Sequence, residues 1–416
     1  RTREYCQGVD PTRERSRTGV SLPGASHGNR TPENRESMRN IVRIADAIRR
    51  GNNSFSKKDI HRETGIPWGT MCKGVDALLK SNSIFARRAE PSGRGRPTIP
   101  LCIHPDSAYF VGIDIGAGSA KAVVCDLAFK TAHTARVSTP RYEGEDAFFS
   151  WLFAFYDDVL QESGIDPSRL KGVGVSVSGN VDSDNGIVVS GGNLGIKWGT
   201  NLPVVERLSL HAGVPALALP TQSAAAWGEY HFGLHKGEAR LVTVGLGVGI
   251  GSGVVANHHL LISQPGAPVG YIGHIHIPGN EYLCACGFKG CIEAYSGGRS
   301  LAKVAAEKIP RRPELHSAPA LGRAAAGDPE AREILSNAAS YISVGVVSVI
   351  QLHSPTAVVF YGGQSHKDGF LFNRVIRDVT EIIPAERLEG ISMDISILGE
   401  RQSAMGAARL AYEEFF

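Results

Sequence analysis

Phe110-Val111-Gly112-Ile113-Asp114-Ile115-Gly116-Ala117-Gly118-Ser119 is the stretch that decides how this 416-residue chain folds. An apolar, β-branched run climbs into glycines, and a second apolar run, Ala120 to Asp126, follows. That reads as strand, tight glycine turn, strand. The pattern returns at Leu241-Val242-Thr243-Val244-Gly245-Leu246-Gly247-Val248-Gly249-Ile250-Gly251-Ser252-Gly253, followed by Val254-Val255. A third strand with glycines is Gly172-Val173-Gly174-Val175-Ser176-Val177. Helical stretches are expected at about 146–163, 201–212, 222–233, 292–308, 329–351 and 369–381. Strands alternating with helices predict an α/β fold whose sheets are covered by helices. The two glycine hairpins, near 114 and near 247, predict two related halves.

Upstream the texture differs. Residues 1–36 are rich in Arg, Ser, Thr, Gly and Pro without apolar period and read as a disordered basic tail. From Ser37, Met38, Ile41, Ile44, Ala45 and Ile48 recur at helical spacing until Gly51-Asn52-Asn53-Ser54. Ser56 is an N-cap for a second short helix through Ile60 to Thr64, and Gly65 breaks it. A third helix spans about Pro67 to Lys80 with Val75, Leu78 and Leu79 facing inward. Ile84 to Arg88 reads as a wing strand, Glu90-Pro91-Ser92-Gly93 as its turn, and Arg94-Gly95-Arg96-Pro97 as a basic linker. Three short helices with a glycine turn between the second and third make a winged helix-turn-helix over 37–100. A three-helix protein-interaction module is the plainer alternative.

Charge bears on that choice. Residues 1–100 hold 20 Lys+Arg against 10 Asp+Glu, and the remainder holds 24 against 31. A basic first quarter on an acidic body points to an anionic polymer or to a solvated tail. Together with the glycine-flanked arginines it favours double-stranded DNA. The third helix is then the recognition helix, with Trp68, Thr70, Met71 and Lys73 as its exposed early positions, although Trp68 equally suits a packing role. Arg94 and Arg96 suit a narrow minor groove, or serve only as a flexible linker. No apolar run of membrane-spanning length and no signal-peptide core is visible, so neither a membrane nor export is expected.

Seven cysteines are an odd number for a disulfide framework, and three of them cluster. His274 precedes Cys284-Ala285-Cys286-Gly287-Phe288-Lys289-Gly290-Cys291. One imidazole and three thiolates are a tetrahedral zinc set with no open position, which makes the metal structural; free thiols or a transient disulfide are the plainer alternative, and scattered thiols elsewhere suit a reducing cytoplasm.

This cluster, with Glu293 after it, resembles the hallmark of the ROK family (repressors, open reading frames and kinases). Val111 to Ala117 and Leu246 to Gly253 resemble its two phosphate hairpins. Gly362-Gly363 after Ala357–Phe360 resembles its adenosine segment, and Met405-Gly406-Ala407-Ala408 its closing helix. The winged helix with Gly95-Arg96-Pro97 resembles the repressor branch. The resemblance covers about 37–416. It implies an α/β two-lobed, actin-like ATPase (ribonuclease-H-like) fold over 101–416, preceded by the winged helix-turn-helix. The small lobe would take about 107–220 plus the C-terminal helix, and the zinc-containing large lobe about 221–400.

Departures from the family pattern carry the functional reading. The family's kinases place an Asn-Asp pair before an Ala-Ala-Ala-x-Gly-Glu helix. Here Ser223-Ala224-Ala225-Ala226-Trp227-Gly228-Glu229 puts Pro220 and Thr221 at that pair. A threonine hydroxyl does not serve as a general base near neutral pH, so no catalytic residue and no phosphotransfer are expected. Tyr271 stands where the family has Glu, and Gly118 where it usually has Thr. The second hairpin's glycines either cradle phosphate or only turn the chain. Asn193, His274 and Glu293 match positions that hold sugar hydroxyls, and Trp198 lines the same cleft, although Glu293 and Asn193 also fit purely structural roles. The expectation is a homodimeric or tetrameric DNA-binding regulator of carbohydrate-related genes, a repressor, with a sugar-type effector and structural zinc. A sugar kinase with an added DNA-binding head would need Asp at position 221. A kinase-inactive protein-binding scaffold is the other alternative.

Overall fold

The computed structural model describes residues 32–87, 99–141, 144–191, 194, 201–262 and 269–416. Helix α1 (Pro32–Arg50) begins five residues before its apolar period. The last five residues of the expected tail are therefore helical, and residues 1–31 lie outside the described ones. Helix α2 (Lys57–Thr64) opens on a capping box. The Ser56 hydroxyl accepts the Asp59 N–H, and the Asp59 carboxylate accepts the Ser56 N–H. Gly65, at φ 65°, ends it in the left-handed region.

Helix α3 (Trp68–Lys80) crosses α1 at Gly74, where a β-carbon would strike Ile44. Val75 and Leu78 face inward, but Leu79 is 36% exposed. It lies about a quarter-turn off the centre of the buried stripe Met71-Gly74-Val75-Leu78. Strand β1 (Ile84–Ala86) pairs antiparallel with β2 (Leu101–Ile103), Ile84 opposite Ile103. The latter strand is too short to show a period in sequence. The wing turn 90–93 lies outside the described residues.

The body is built on two five-stranded sheets. The first contains β3 (Tyr109–Ile115), β4 (Ser119–Asp126), β5 (Thr131–Ser138), β6 (Leu170–Val177) and, beyond the small hairpin β7 (Asn180–Asp182) and β8 (Ile187–Ser190), β9 (Ala216–Pro220). Its order is β5-β4-β3-β6-β9. Helices α4 (Glu145–Ser163) and α5 (Val204–Ala212) cover one face. After α6 (Thr221–Phe232), the second sheet contains β10 (Arg240–Leu246), β11 (Ile250–Ala256) and β12 (His259–Leu260). Helices α7 (Ile292–Ser296), α8 (Gly298–Lys308), α9 (Ala318–Ala324) and α10 (Pro329–His353) follow. Strand β13 (Ala357–Tyr361), helices α11 (Phe370–Ile382) and α12 (Ala385–Leu388), and strand β14 (Ser392–Ile395) complete this half before the last helix, α13 (Gln402–Phe415). The second sheet's order is β12-β11-β10-β13-β14. Each sheet is an antiparallel meander joined to a parallel pair in the same order, so the two glycine hairpins do mark related halves.

The expected helix 292–308 is broken at Gly297. The break turns the first amides of α8 toward the second hairpin, where Gly298 N–H donates to Gly247 O at 3.0 Å. Helix α10 is long and apolar enough to cross a membrane by composition, but its buried residues form the centre of the second half's core. Helix α13 covers the first sheet and α6 the second, and the two pack on each other between the halves. The helix-turn-helix head shares one continuous apolar core with the first sheet, α6 and α13, running from Ile44 and Val75 through Ile103 and Phe110 to Tyr412.

Candidate functional site

Three places carry chemistry. In the head, α3 buries one stripe and presents the other. Trp68 is 49% exposed, and Thr70 and Lys73 are exposed beside it. The His61 ring meets the Trp68 indole edge-on at 5.5 Å, and its Nδ1 lies 2.7 Å from Ile66 O, which steadies the indole at the helix start. Met71 is a correction to the sequence reading. It is 0% exposed, because it shares the inward stripe with Val75 and Leu78 and packs into the head's core. Arg94 and Arg96 lie outside the described residues.

The second place is a cysteine knuckle. Leu283 bridges Lys289, and Gly287 and Gly290 take φ of 92° and 86°, so the loop curls and its sulfurs converge. Ligand atoms of His274, Cys284, Cys286 and Cys291 all lie within 4.8 Å of one another. His274 Nδ1 is 3.6 Å from Cys284 Sγ, and Cys286 Sγ is 3.6 Å from Cys291 Sγ. A tetrahedral ion with bonds of about 2.0–2.3 Å sets ligand separations of about 3.5–3.8 Å, so the four residues fit a zinc-sized cation. Burial pushes the Cys284 thiol up to about 12 and raises Cys291 as well. A divalent cation among them would outweigh that and hold the sulfurs as thiolates. His276 is held elsewhere, with Nδ1 3.3 Å from Lys289 O.

The third place is the cleft between the halves. The buried Asp114 carboxylate accepts the Ser176 hydroxyl at 2.8 Å and the Thr221 hydroxyl at 2.9 Å. The Lys121 ammonium stands 3.7 Å away. Thr221, the residue at the expected base position, is thus already engaged. A β-carbon on Gly118, at the first hairpin's tip, would lie 3.6 Å from Val248 at the tip of the second. The Tyr361 ring covers Gly245, where a β-carbon would stand 2.8 Å from it. Gln364 Nε2 donates to Gly247 O at 2.7 Å. Sequence reading passed over Tyr361 and Gln364, although an aromatic and a long amide flanking Gly362-Gly363 are conspicuous there.

Glu293 lies between knuckle and cleft. It is buried, and its Oε2 accepts the Ile250 N–H at 2.7 Å. It therefore braces the second hairpin whatever else it touches. Asn193 and Trp198 lie outside the described residues, so the structure does not place them beside His274.

Comparison with known proteins agrees with this architecture. The chain is 24% identical over 368 residues to the xylose repressor of Bacillus subtilis (strain 168), covering 88% of this chain and 92% of that protein. Its fold is like that of a ROK family transcriptional regulator described as a homologue of the E. coli MLC protein. The TM-score is 0.77 at 20% identity, over 91% of this chain and 97% of the other. A ROK family glucokinase from Streptomyces griseus, solved with glucose and AMPPNP, aligns with TM-score 0.63 and 26% identity over 73% of this chain and 99% of its own. That alignment reaches the glucokinase's full length while leaving about a quarter of this chain unmatched. The fold is the two-lobed, actin-like ATPase fold with an N-terminal region added. The ROK family profile matches residues 110–414, and the chain belongs to the ROK family.

Proposed function

We infer that this protein is a sequence-specific DNA-binding regulator, a repressor of carbohydrate-related genes, whose kinase-like body senses a sugar-type ligand without phosphorylating it. One observation carries the reading: a head of three short helices and a strand pair, with Trp68, Thr70 and Lys73 exposed on its third helix, is seated on a sugar-kinase-like body. Similarity to a xylose repressor over 88% of the chain supports it. Thr70 and Lys73 would contact phosphates or base edges, and Arg94 and Arg96 would enter the minor groove. A homodimer or tetramer would set two such helices on a pseudo-palindromic operator.

Loss of phosphotransfer is supported by the chemistry of the cleft. Thr221 donates to Asp114, where a general base would have to accept a sugar proton. Asn193, His274 and Glu293 would hold sugar hydroxyls, and the knuckle would hold a structural zinc. In a reducing cytoplasm its thiols would remain available to the metal.

Selection of fragmented genomic DNA on the full-length, zinc-loaded protein, with and without a panel of sugars and sugar phosphates, tests this. Enrichment of a palindromic site, altered by one sugar, is expected. Binding no better than to random DNA, or ATP-dependent sugar phosphorylation at an enzymatic rate, would overturn it.

A further inference from the structure

Helix α6 has one end in the cleft and the other against the last turns of α13, which in turn meets the head. At its start Thr221 binds Asp114, and Gln222 packs against Gly251 and Gly253 of β11. At twelve residues it spans about 18 Å. Along that length it lies backbone to backbone on α13. A β-carbon at Gly228 would overlap Gln402 O, and one at Gly406 would overlap Ala224 O. Helices in such contact have no flexible side chains between them to absorb a displacement.

Toward its far end, α6 grips the last turns of α13. The Trp227 indole N–H donates to Glu413 Oε2 at 3.0 Å, and His231 Nε2 lies 3.2 Å from Glu413 Oε1. Glu413 Oε1 also accepts Arg409 Nε at 2.7 Å. The Arg409 side chain is 4% exposed, and its two terminal nitrogens donate to the two carboxylate oxygens of Asp46 on α1. Arg49, one turn along α1, donates to Leu127 O at 2.7 Å and lies over the Phe129 and Tyr412 rings at 4.8 and 5.2 Å. Arg409 thus meets both oxygens of Asp46 through one planar fork that joins body to head, and such a fork fixes orientation as well as distance.

We propose that α6 and α13 act as a relay from the cleft to the DNA-binding head, with the Asp46–Arg409 pair as its latch. Movement of the second half about the point where β9 runs into α6 at Thr221, beside Asp114, shifts the α6–α13 pair, and the latch converts that shift into a change in the head's tilt. Arg409 is a positioning residue that need touch neither DNA nor ligand. The purpose of the relay rests on the regulator reading, but its existence does not.

Amide hydrogen exchange on the full-length protein, without DNA or sugar, tests it. Thr221→Val removes the cleft-end bond while keeping the side-chain shape. It should speed exchange over residues 36–50 of α1 by about fivefold or more, the lower range of site-to-site coupling. Ser176→Ala removes the other hydroxyl on the same carboxylate, off the relay, and should leave α1 unchanged. Coupling is reciprocal, so Asp46→Asn should speed exchange over residues 221–226. If Asp46→Asn does not fold, the Thr221 and Ser176 variants decide the matter alone. Unchanged α1 exchange in Thr221→Val, or an equal rise in Ser176→Ala, would overturn the relay. Neither result bears on whether the protein selects an operator, which the DNA selection reads separately.

Discussion

The Glu293 carboxylate accepts the Ile250 amide hydrogen at 2.7 Å, so the helix leaving the cysteine knuckle is fastened to the second glycine hairpin. Glu293→Ala leaves a buried N–H unpaired and should cost about 1–3 kcal/mol of stability, whereas Glu293→Gln keeps an acceptor and should cost less. Urea unfolding of both variants checks this. Equal stability of Glu293→Ala and the parent would show that the brace contributes nothing.

The knuckle's geometry predicts one tightly held zinc per chain. Metal analysis of the purified protein should find it, and Cys286→Ser should lose most of it. Chelation should lower the melting temperature, because a bound structural ion is part of the folding free energy. A chain that binds no metal yet melts at an unchanged temperature after thiol alkylation would refute the structural role.

Neighbours on α3 should behave in opposite ways. Met71 is fully buried, so Met71→Ala should destabilise the protein by about 2–5 kcal/mol. Lys73 is exposed, so Lys73→Ala should barely change stability but should weaken DNA binding by about 1 kcal/mol or more and flatten its salt dependence. Thermal melts and titrations at two salt concentrations separate the two. A Lys73→Ala protein with parental affinity and salt slope would remove that residue from the contact surface.

Acid should loosen the head from the body. Burial alone would raise Asp46, but the charge and hydrogen bonds of Arg409, with Arg49, hold its carboxyl well below the usual range. Glu413 is likewise lowered: burial opposes this, and Arg409 and His231 outweigh it. Burial lowers His231, and the Arg409 charge adds to that. Depressed carboxylates stabilise the fold above about pH 4 and lose that contribution as pH falls through their folded values. A depressed histidine stabilises it fully above about pH 6.5 and loses that contribution on the way down. All three act in one direction, so the melting temperature should fall from pH 7 to pH 5 and more steeply below. His231→Gln should flatten the upper part of that curve. A melting temperature constant from pH 7 to pH 4 would contradict the assignment.

Local chemistry was the legible part of the fold. Ser56 and Gly65 begin and end a helix through their own backbone neighbours, and the two glycine hairpins show as glycine after β-branched runs. The cysteine spacing likewise carries the knuckle within one short loop. Met71 was misplaced although its spacing of four from Val75 and seven from Leu78 puts it on the inward stripe. An early turn expected to face DNA invites an outward reading unless that phase is counted. Pairs brought together by tertiary folding left no such trace. Thr221 and Asp114 are 107 residues apart, and Asp46 and Arg409 are 363 apart. Each looks like an ordinary polar residue until sheet and helix packing sets it beside its partner.

The core that runs unbroken from Ile44 to Tyr412 bears on how such chains diversify and how they can be re-engineered. A head grafted from a relative would place foreign side chains into the cluster that holds Phe110, Phe129 and Tyr412, so swapping the first hundred residues alone should cost stability at that seam. A working chimera would have to carry the final helix with its donor's head, which makes the two ends of the chain a single heritable unit.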